Sequence, residues 1–295
     1  MHTISFAGAH TALITPFRNG IVDEPSLIRL ITDQIKAGIT GIVPVGTTGE
    51  SPTLTHAEHS RVIEVAVAAA AKRALVIAGT GSNSTSEAVD LTVEAERLGA
   101  DAALLVAPYY NKPSPEGIYR HFRQVAEAVS IPIILYSIPS RCGIEIPVQT
   151  VARLVADCPN VVAIKEAGGS VERVNQLRAA LPESFEILSG DDSLTLSFMA
   201  AGAVGVISVA SNIIPAEVQE LVQSIRGGDL TRAQVLHQQF YPLFRDLFIE
   251  PNPVPIKTAL AVKNGYPEDV RLPLCEISSA NREILIKTLG LIGLL

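Results

Sequence analysis

Short apolar runs, almost unbroken by polar side chains, recur along the chain: HTALITPF, GIVPV, ALVIAGT, AALLV, IPIILY, VVAIKE, FEILSG and GVISV. Strands with one wet face alternate apolar with polar residues, whereas parallel strands covered on both faces read as continuous apolar runs of this kind. The runs recur at spacings of roughly 20 to 35 residues, the length of a βα unit. The stretches between them carry helical signals. Ala88, Leu91, Ala95 and Leu98 fall on one helical face, as a helix lying on a sheet requires. Thr55 with Glu58, and Ser84 with Glu87, fit the S/T-x-x-E capping box, and Pro115, Pro147 and Pro215 suit first-turn positions. AGITGIVPV, LGADAALLV and AGAVGVISV repeat one junction, a glycine at a helix C-terminus followed by a short loop and a strand.

Eight βα units in series imply an α/β fold, a (β/α)8 TIM barrel over 1–226, followed by a C-terminal helical region over 227–295. An open doubly wound sheet is the rival. The barrel is favoured by where the unusual residues fall: GTTGES, GTGSNS, PYYNKPS, YSIPSR, Lys165, GDD and SVASN each follow a candidate strand. That is the C-terminal face, where barrels carry their sites.

A chain of 295 residues is within the range of one such barrel, and 47% hydrophobic against 18% charged residues suffices for a large core. A net charge of −7 argues against nucleic acid or an anionic membrane surface as partner, since both want a basic face. Small molecules are the expected ligands. Lys72 and Arg73 interrupt the one long apolar stretch, IEVAVAAAAKRALVIAG, which rules out a membrane span there. No secretion signal is visible in MHTISFAGAH. Cys142, Cys158 and Cys275 form no CxxC pair and leave an odd count, which reads as reduced thiols in the cytoplasm. His56 and His59 share a helix face without the HExxH arrangement, so they read as a surface helix terminus rather than a metal site.

Lys165 directly follows the buried run Val161 to Ile164. Charging an amine there costs several kcal/mol, on the order of the desolvation penalty of a buried ion. Either it snorkels to solvent, or apolar walls hold it partly neutral as a nucleophile. Tyr136 ends the preceding strand, where its phenol is either a core hydroxyl or a proton shuttle. In GTTGE, Thr47 and Thr48 present hydroxyls and backbone N–H groups to a small carboxylate, or merely make a turn. Arg141 is either a solvated surface cation or a bidentate grip on a second carboxylate. Tyr109 and Tyr110 read equally as packing or as site residues.

Taken together, GTTGES, GTGSN, PYYNKPS, YSIPSR, IKEA, SGDD, GVISV, EPNPVPIK and RLPL, in this order, resemble the dihydrodipicolinate synthase family of pyruvate-dependent class I aldolases. The resemblance covers nearly the whole chain. It implies that Lys165 forms an imine with pyruvate and that the derived enamine attacks L-aspartate 4-semialdehyde, giving the heterocyclic precursor of diaminopimelate and lysine. It also implies a proton relay of Thr47, Tyr136 and Tyr110, the last donated across a dimer interface. Thr48, Gly190 and Ile207 would line the pyruvate pocket and Arg141 would hold the semialdehyde carboxylate. No cofactor or metal is implied, and the expected assembly is a dimer of dimers. By the same resemblance, Ser51, His56, His59, Asn83, Glu87 and Tyr109 match a feedback site for L-lysine.

Two positions depart from the family's common YNVPSRTG: Ser137 replaces asparagine and Cys142 replaces threonine. Both lie close to Arg141, which separates this family from sialic-acid lyases that usually lack it. The alternatives are a pyruvate-imine aldolase of the N-acetylneuraminate lyase or 2-keto-3-deoxygluconate type, and a non-catalytic binding barrel.

Overall fold

The computed structural model describes residues 4–295. The chain runs β1 (Ala9–Ala12), a hairpin of β2 (Phe17–Arg18) and β3 (Ile21–Val22), α1 (Glu24–Lys36), β4 (Gly41–Val43), α2 (His56–Ala70), β5 (Leu75–Gly79), α3 (Thr85–Arg97) and β6 (Ala102–Val106). It continues through α4 (Pro115–Ala128), β7 (Ile133–Ser137), α5 (Pro139–Cys142), α6 (Val148–Asp157), β8 (Val161–Glu166), α7 (Val171–Ala180), β9 (Glu186–Ser189), α8 (Thr195–Ala200), β10 (Gly205–Ser208) and α9 (Pro215–Arg226). Three more helices follow: α10 (Leu230–Asp246), α11 (Val254–Asn264) and α12 (Ser279–Leu291).

Eight parallel strands close into a barrel, with β1 pairing both β4 and β10, so the open-sheet alternative falls. At three junctions a glycine lets the helix turn back onto the sheet. Gly38, Gly99 and Gly202 have φ of 82°, 90° and 108°, a left-handed conformation that a side chain would penalise. All three belong to the repeated pattern of the sequence.

Alternation along each strand separates two cores. Val43, Ile77, Leu104, Ile134, Tyr136, Ala163, Leu188 and Ile207 form an inner cluster with Phe6, while Ile42, Leu105, Leu135, Ile164 and Ile187 join the helices in the outer one. The C-terminal helices belong to the outer core, through Leu236, Phe240, Leu243, Leu285 and Leu289. Residues two apart on a strand face the same way, so Ala163 in the inner cluster places Lys165 inward, at the C-terminal rim.

Some local expectations need correction. Thr55 and Glu58 form the capping box of α2, worth about 1 kcal/mol. Ser84 caps α3 without a side-chain bond to the helix backbone: its hydroxyl lies 3.1 Å from that of Ser86, and the Glu87 carboxylate is engaged by Ser82 and His56. Pro115 and Pro215 open their helices, whereas Pro147 precedes α6 as its N-cap residue. The β2–β3 hairpin, with two residues per strand, is too short to leave a periodic signal. Among the described residues, no helix is long and apolar enough to cross a membrane.

Candidate active site

Strand register brings the first two candidates together. Tyr136 on β7 pairs with Lys165 on β8, which pairs in turn with Leu188 on β9. The amine lies 4.2 Å from the centroid of the Tyr136 ring. Lys165 is only 6% exposed, so the snorkelling alternative fails. Burial lowers its pKa from 10.5 to about 8, the Asp192 carboxylate opposing the shift and Arg141 adding to it. At pH 7 about one amine in ten is then neutral, against about one in a few thousand for an ordinary lysine. The buried Tyr136 phenol is pushed up by desolvation, and Arg141 and the adjoining Thr47 hydroxyl pull it partly back. It therefore stays protonated at neutral pH, able to donate and to accept.

The floor and wall beside the amine are apolar or glycine. Ile207 is buried in the inner cluster. A Cβ on Gly190 would come within 2.7 Å of the Ala167 Cβ and 3.1 Å of the Lys165 Cε, so any side chain there would push the lysine from its place. Asp192, which sequence reasoning left without a role, is buried and accepts from the backbone N–H groups of Val209 and Ala210 at 3.0 and 2.9 Å. Burial raises its pKa to about 6. An acidic pair directly after a strand end was the available signal.

Thr48 is buried, and its hydroxyl accepts from the Asn252 carboxamide at 2.9 Å. Arg141, on the short helix α5 and exposed, donates to the Asn252 carbonyl at 3.4 Å. Asn252 thus stands between the two expected carboxylate binders, with its own Oδ1 buried and unpartnered. No sequence signal marked it beyond its place in EPNPVPIK.

Of the two departures from the family pattern, Ser137 is fully buried with its hydroxyl accepting from the Ile146 N–H. Strand alternation turns it away from the side that carries Tyr136. Cys142 is buried and lines the cavity beside Arg141, and burial pushes its thiol up to about 11. It is a neutral apolar wall at physiological pH.

One cavity of about 440 Å³ runs from Thr47, Tyr136 and Arg141 to Ser51, His56, His59, Glu87 and Tyr109. His56 Nε2 lies 2.9 Å from a Glu87 oxygen, and the hydrogen bonds from Ser82 and His56 hold the Glu87 carboxyl below its usual range. His59 corrects the expectation of a surface pair: it is buried, its Nε2 on the Gly79 carbonyl at 2.9 Å, and desolvation lowers its pKa. Asn83 lies outside the cavity lining and gives its carbonyl to Asn111. Tyr110 is not brought to Lys165 at all. It is 87% exposed, with a left-handed φ of 72°.

A buried amine against a phenol, beside a cavity that Thr47, Tyr136 and Arg141 line, offers the parts that a carbonyl condensation needs. The dihydrodipicolinate synthetase family model matches residues 5–291. The 4-hydroxy-tetrahydrodipicolinate synthase of Syntrophus aciditrophicus is 51% identical, over 98% of this chain and 100% of that one. The structure of the 4-hydroxy-tetrahydrodipicolinate synthase from Methylacidiphilum fumariolicum SolV superposes with a TM-score of 0.97 at 55% identity, covering 98% of this chain and 96% of the other. That of dihydrodipicolinate synthase from Cyanidioschyzon merolae with lysine bound gives 0.95 at 40% identity, covering 98% and 99%. With the family's model spanning the barrel and the C-terminal helices alike, the chain belongs to the dihydrodipicolinate synthetase family.

Proposed function

We propose that the chain condenses pyruvate with L-aspartate 4-semialdehyde to 4-hydroxy-tetrahydrodipicolinate, on the route to diaminopimelate and lysine, through an imine at Lys165. The observation that carries this reading is the buried amine, depressed to about 8 beside a protonated phenol. The neutral amine adds to the keto carbon of pyruvate, while Thr48 and the backbone around Gly190 and Ile207 receive the carboxylate. Tyr136 moves the proton between nitrogen and the departing hydroxyl, water leaves, and an imine forms. Loss of a methyl proton gives the enamine, whose carbon attacks the aldehyde of the second substrate. Arg141 grips that substrate's carboxylate at the mouth. The substrate's own amine then displaces Lys165 from the imine carbon, closing the ring and freeing the enzyme.

The test of this reading is borohydride reduction with labelled pyruvate. It should leave one stable adduct, on Lys165; labelled pyruvate that fails to attach, or attaches elsewhere, removes the mechanism. The rate of imine formation should rise with pH through about 8 and level off above it, because the neutral amine is the reacting form. Trapping rates measured across pH 6 to 10, as rough limits around that value, check this. A midpoint near the ordinary lysine value would mean that the amine is wet.

Tyr110 enters as a relay group for a second copy of the chain. Its exposed ring, held in a left-handed backbone away from its own cavity, supports that role, and with it a homotetramer built as a dimer of dimers. A cytoplasmic setting suits three cysteines that form no disulfide.

The outer end of the cavity is the proposed seat of an L-lysine effector. Glu87, held ionised between Ser82 and His56, suits an α-ammonium, and the likeness to a synthase with lysine bound supports the assignment. Initial rates should fall at saturating L-lysine, and Glu87→Gln should weaken inhibition about tenfold, as expected for loss of one charge-assisted bond. Rates that ignore lysine would refute the assignment.

A further inference from the structure

The loop that presents Thr47 and Thr48 ends at Glu50, a non-glycine residue in the left-handed region with φ of 54°. A bulky side chain keeps that conformation only where its surroundings over-determine it. Here the surroundings are the C-terminal part of the chain. The Glu50 carboxylate is 2% exposed and pairs with the ammonium of Lys257 on α11, itself 0% exposed. Lys257 also donates to the Asp269 carbonyl at 2.8 Å, and the second Glu50 oxygen accepts from the Arg271 N–H at 3.0 Å. The Phe17 ring of the β2–β3 hairpin covers both cations, each 4.3 Å from its centroid. The Arg271 guanidinium continues the contact to Glu58 and to the Thr53 carbonyl. A second tie from the same part of the chain is the Asn252 bond to Thr48.

Two fully buried opposite charges are a poor source of stability, since apolar residues of the same volume often do as well or better. What a buried pair fixes well is direction: both partners are held by several hydrogen bonds, and neither can rotate without stranding the other. The partners of the Glu50 carboxylate lie beyond residue 250, while its backbone N–H donates to the Thr47 carbonyl at 3.1 Å and it follows Thr48 by two positions and Thr47 by three.

We propose that the buried Glu50–Lys257 pair is a positioning device for Thr47 and Thr48, through which the C-terminal helices set the grip on the keto-acid carboxylate. Neither residue touches substrate. The proposal rests on the imine reading above, and pyruvate itself is the probe. The quantity read is the pyruvate concentration giving half-maximal borohydride trapping, with the KM for aspartate semialdehyde alongside and circular dichroism as the check of fold.

Glu50→Gln and Lys257→Met should each raise the half-trapping concentration about tenfold or more and leave the semialdehyde KM within about twofold, since Arg141 sits on α5, after a different strand. In a Thr48→Val background, where the hydroxyl is already gone, Glu50→Gln should add little further loss, the mark of two residues acting as one unit. Full additivity in that background, or a folded single variant that traps pyruvate like the parent, overturns the proposal. Should the single variants unfold, the Glu50→Leu/Lys257→Met pair, with no charge left buried alone, is read in the same way, and its failure to fold would assign the pair to stability alone. A parent enzyme that traps no pyruvate would refute the imine reading instead.

Discussion

Lys165→Ala abolishes imine trapping and lowers condensation by about 10⁴-fold or more, the scale seen when a covalent nucleophile is removed. Lys165→Arg should fare no better, because a guanidinium stays charged and offers no free amine. Thermal stability should move the other way. A buried lysine whose folded pKa is near 8 against 10.5 in the unfolded chain binds its proton less tightly when folded. The resulting penalty is fully present below pH 8 and disappears as pH rises toward the unfolded value. At pH 7 it amounts to about 3 kcal/mol. Lys165→Met keeps most of the volume and drops the charge, so it should melt above the parent at neutral pH and approach it at high pH. Calorimetry at two pH values checks this. A Lys165→Met protein that melts lower, with the same pH dependence as the parent, would mean that the amine carries no desolvation cost and has no reason to be nucleophilic.

What could be read in the chain follows the range of the interactions. The eight strands, the left-handed glycines Gly38, Gly99 and Gly202, and the rim position of Lys165 and Tyr136 are written in local periodicity and turn chemistry. Parallel pairing then converts sequence order into register and sets Tyr136 opposite Lys165. The contacts that stayed hidden join residues far apart. Asn252 and Thr48 are separated by 204 positions, and Lys257 and Glu50 by 207, and no window along the chain can pair them. His59 shows a second limit. Helical spacing placed it beside His56, yet which residues a helix buries depends on what it packs against, and α2 turns His59 toward the Gly79 carbonyl. Ser84 with Glu87 shows a third, since a matching capping pattern lost its glutamate to partners nearer the cavity.

Arg141→Ala separates the two half-reactions. Imine trapping with pyruvate should persist at nearly the parental level, because the amine, the phenol and the glycine wall beside them do not depend on the guanidinium for their placement. Condensation should fall about 10²- to 10³-fold in kcat/KM for the semialdehyde, from loss of a charge-assisted, two-pronged grip together with the orientation it gives the aldehyde. Arg141→Lys should recover only part, since a point charge holds a carboxylate without fixing its plane. The fold should survive, for Arg141 is exposed and the hydrogen bond of its side chain, to the Asn252 carbonyl, is long at 3.4 Å. A smaller effect carries the sign check. Arg141 helps to depress Lys165, so without it the ammonium is favoured and the pH midpoint of imine formation should shift upward. Retained semialdehyde turnover together with an unshifted midpoint would place the carboxylate grip elsewhere and return Arg141 to the solvated surface.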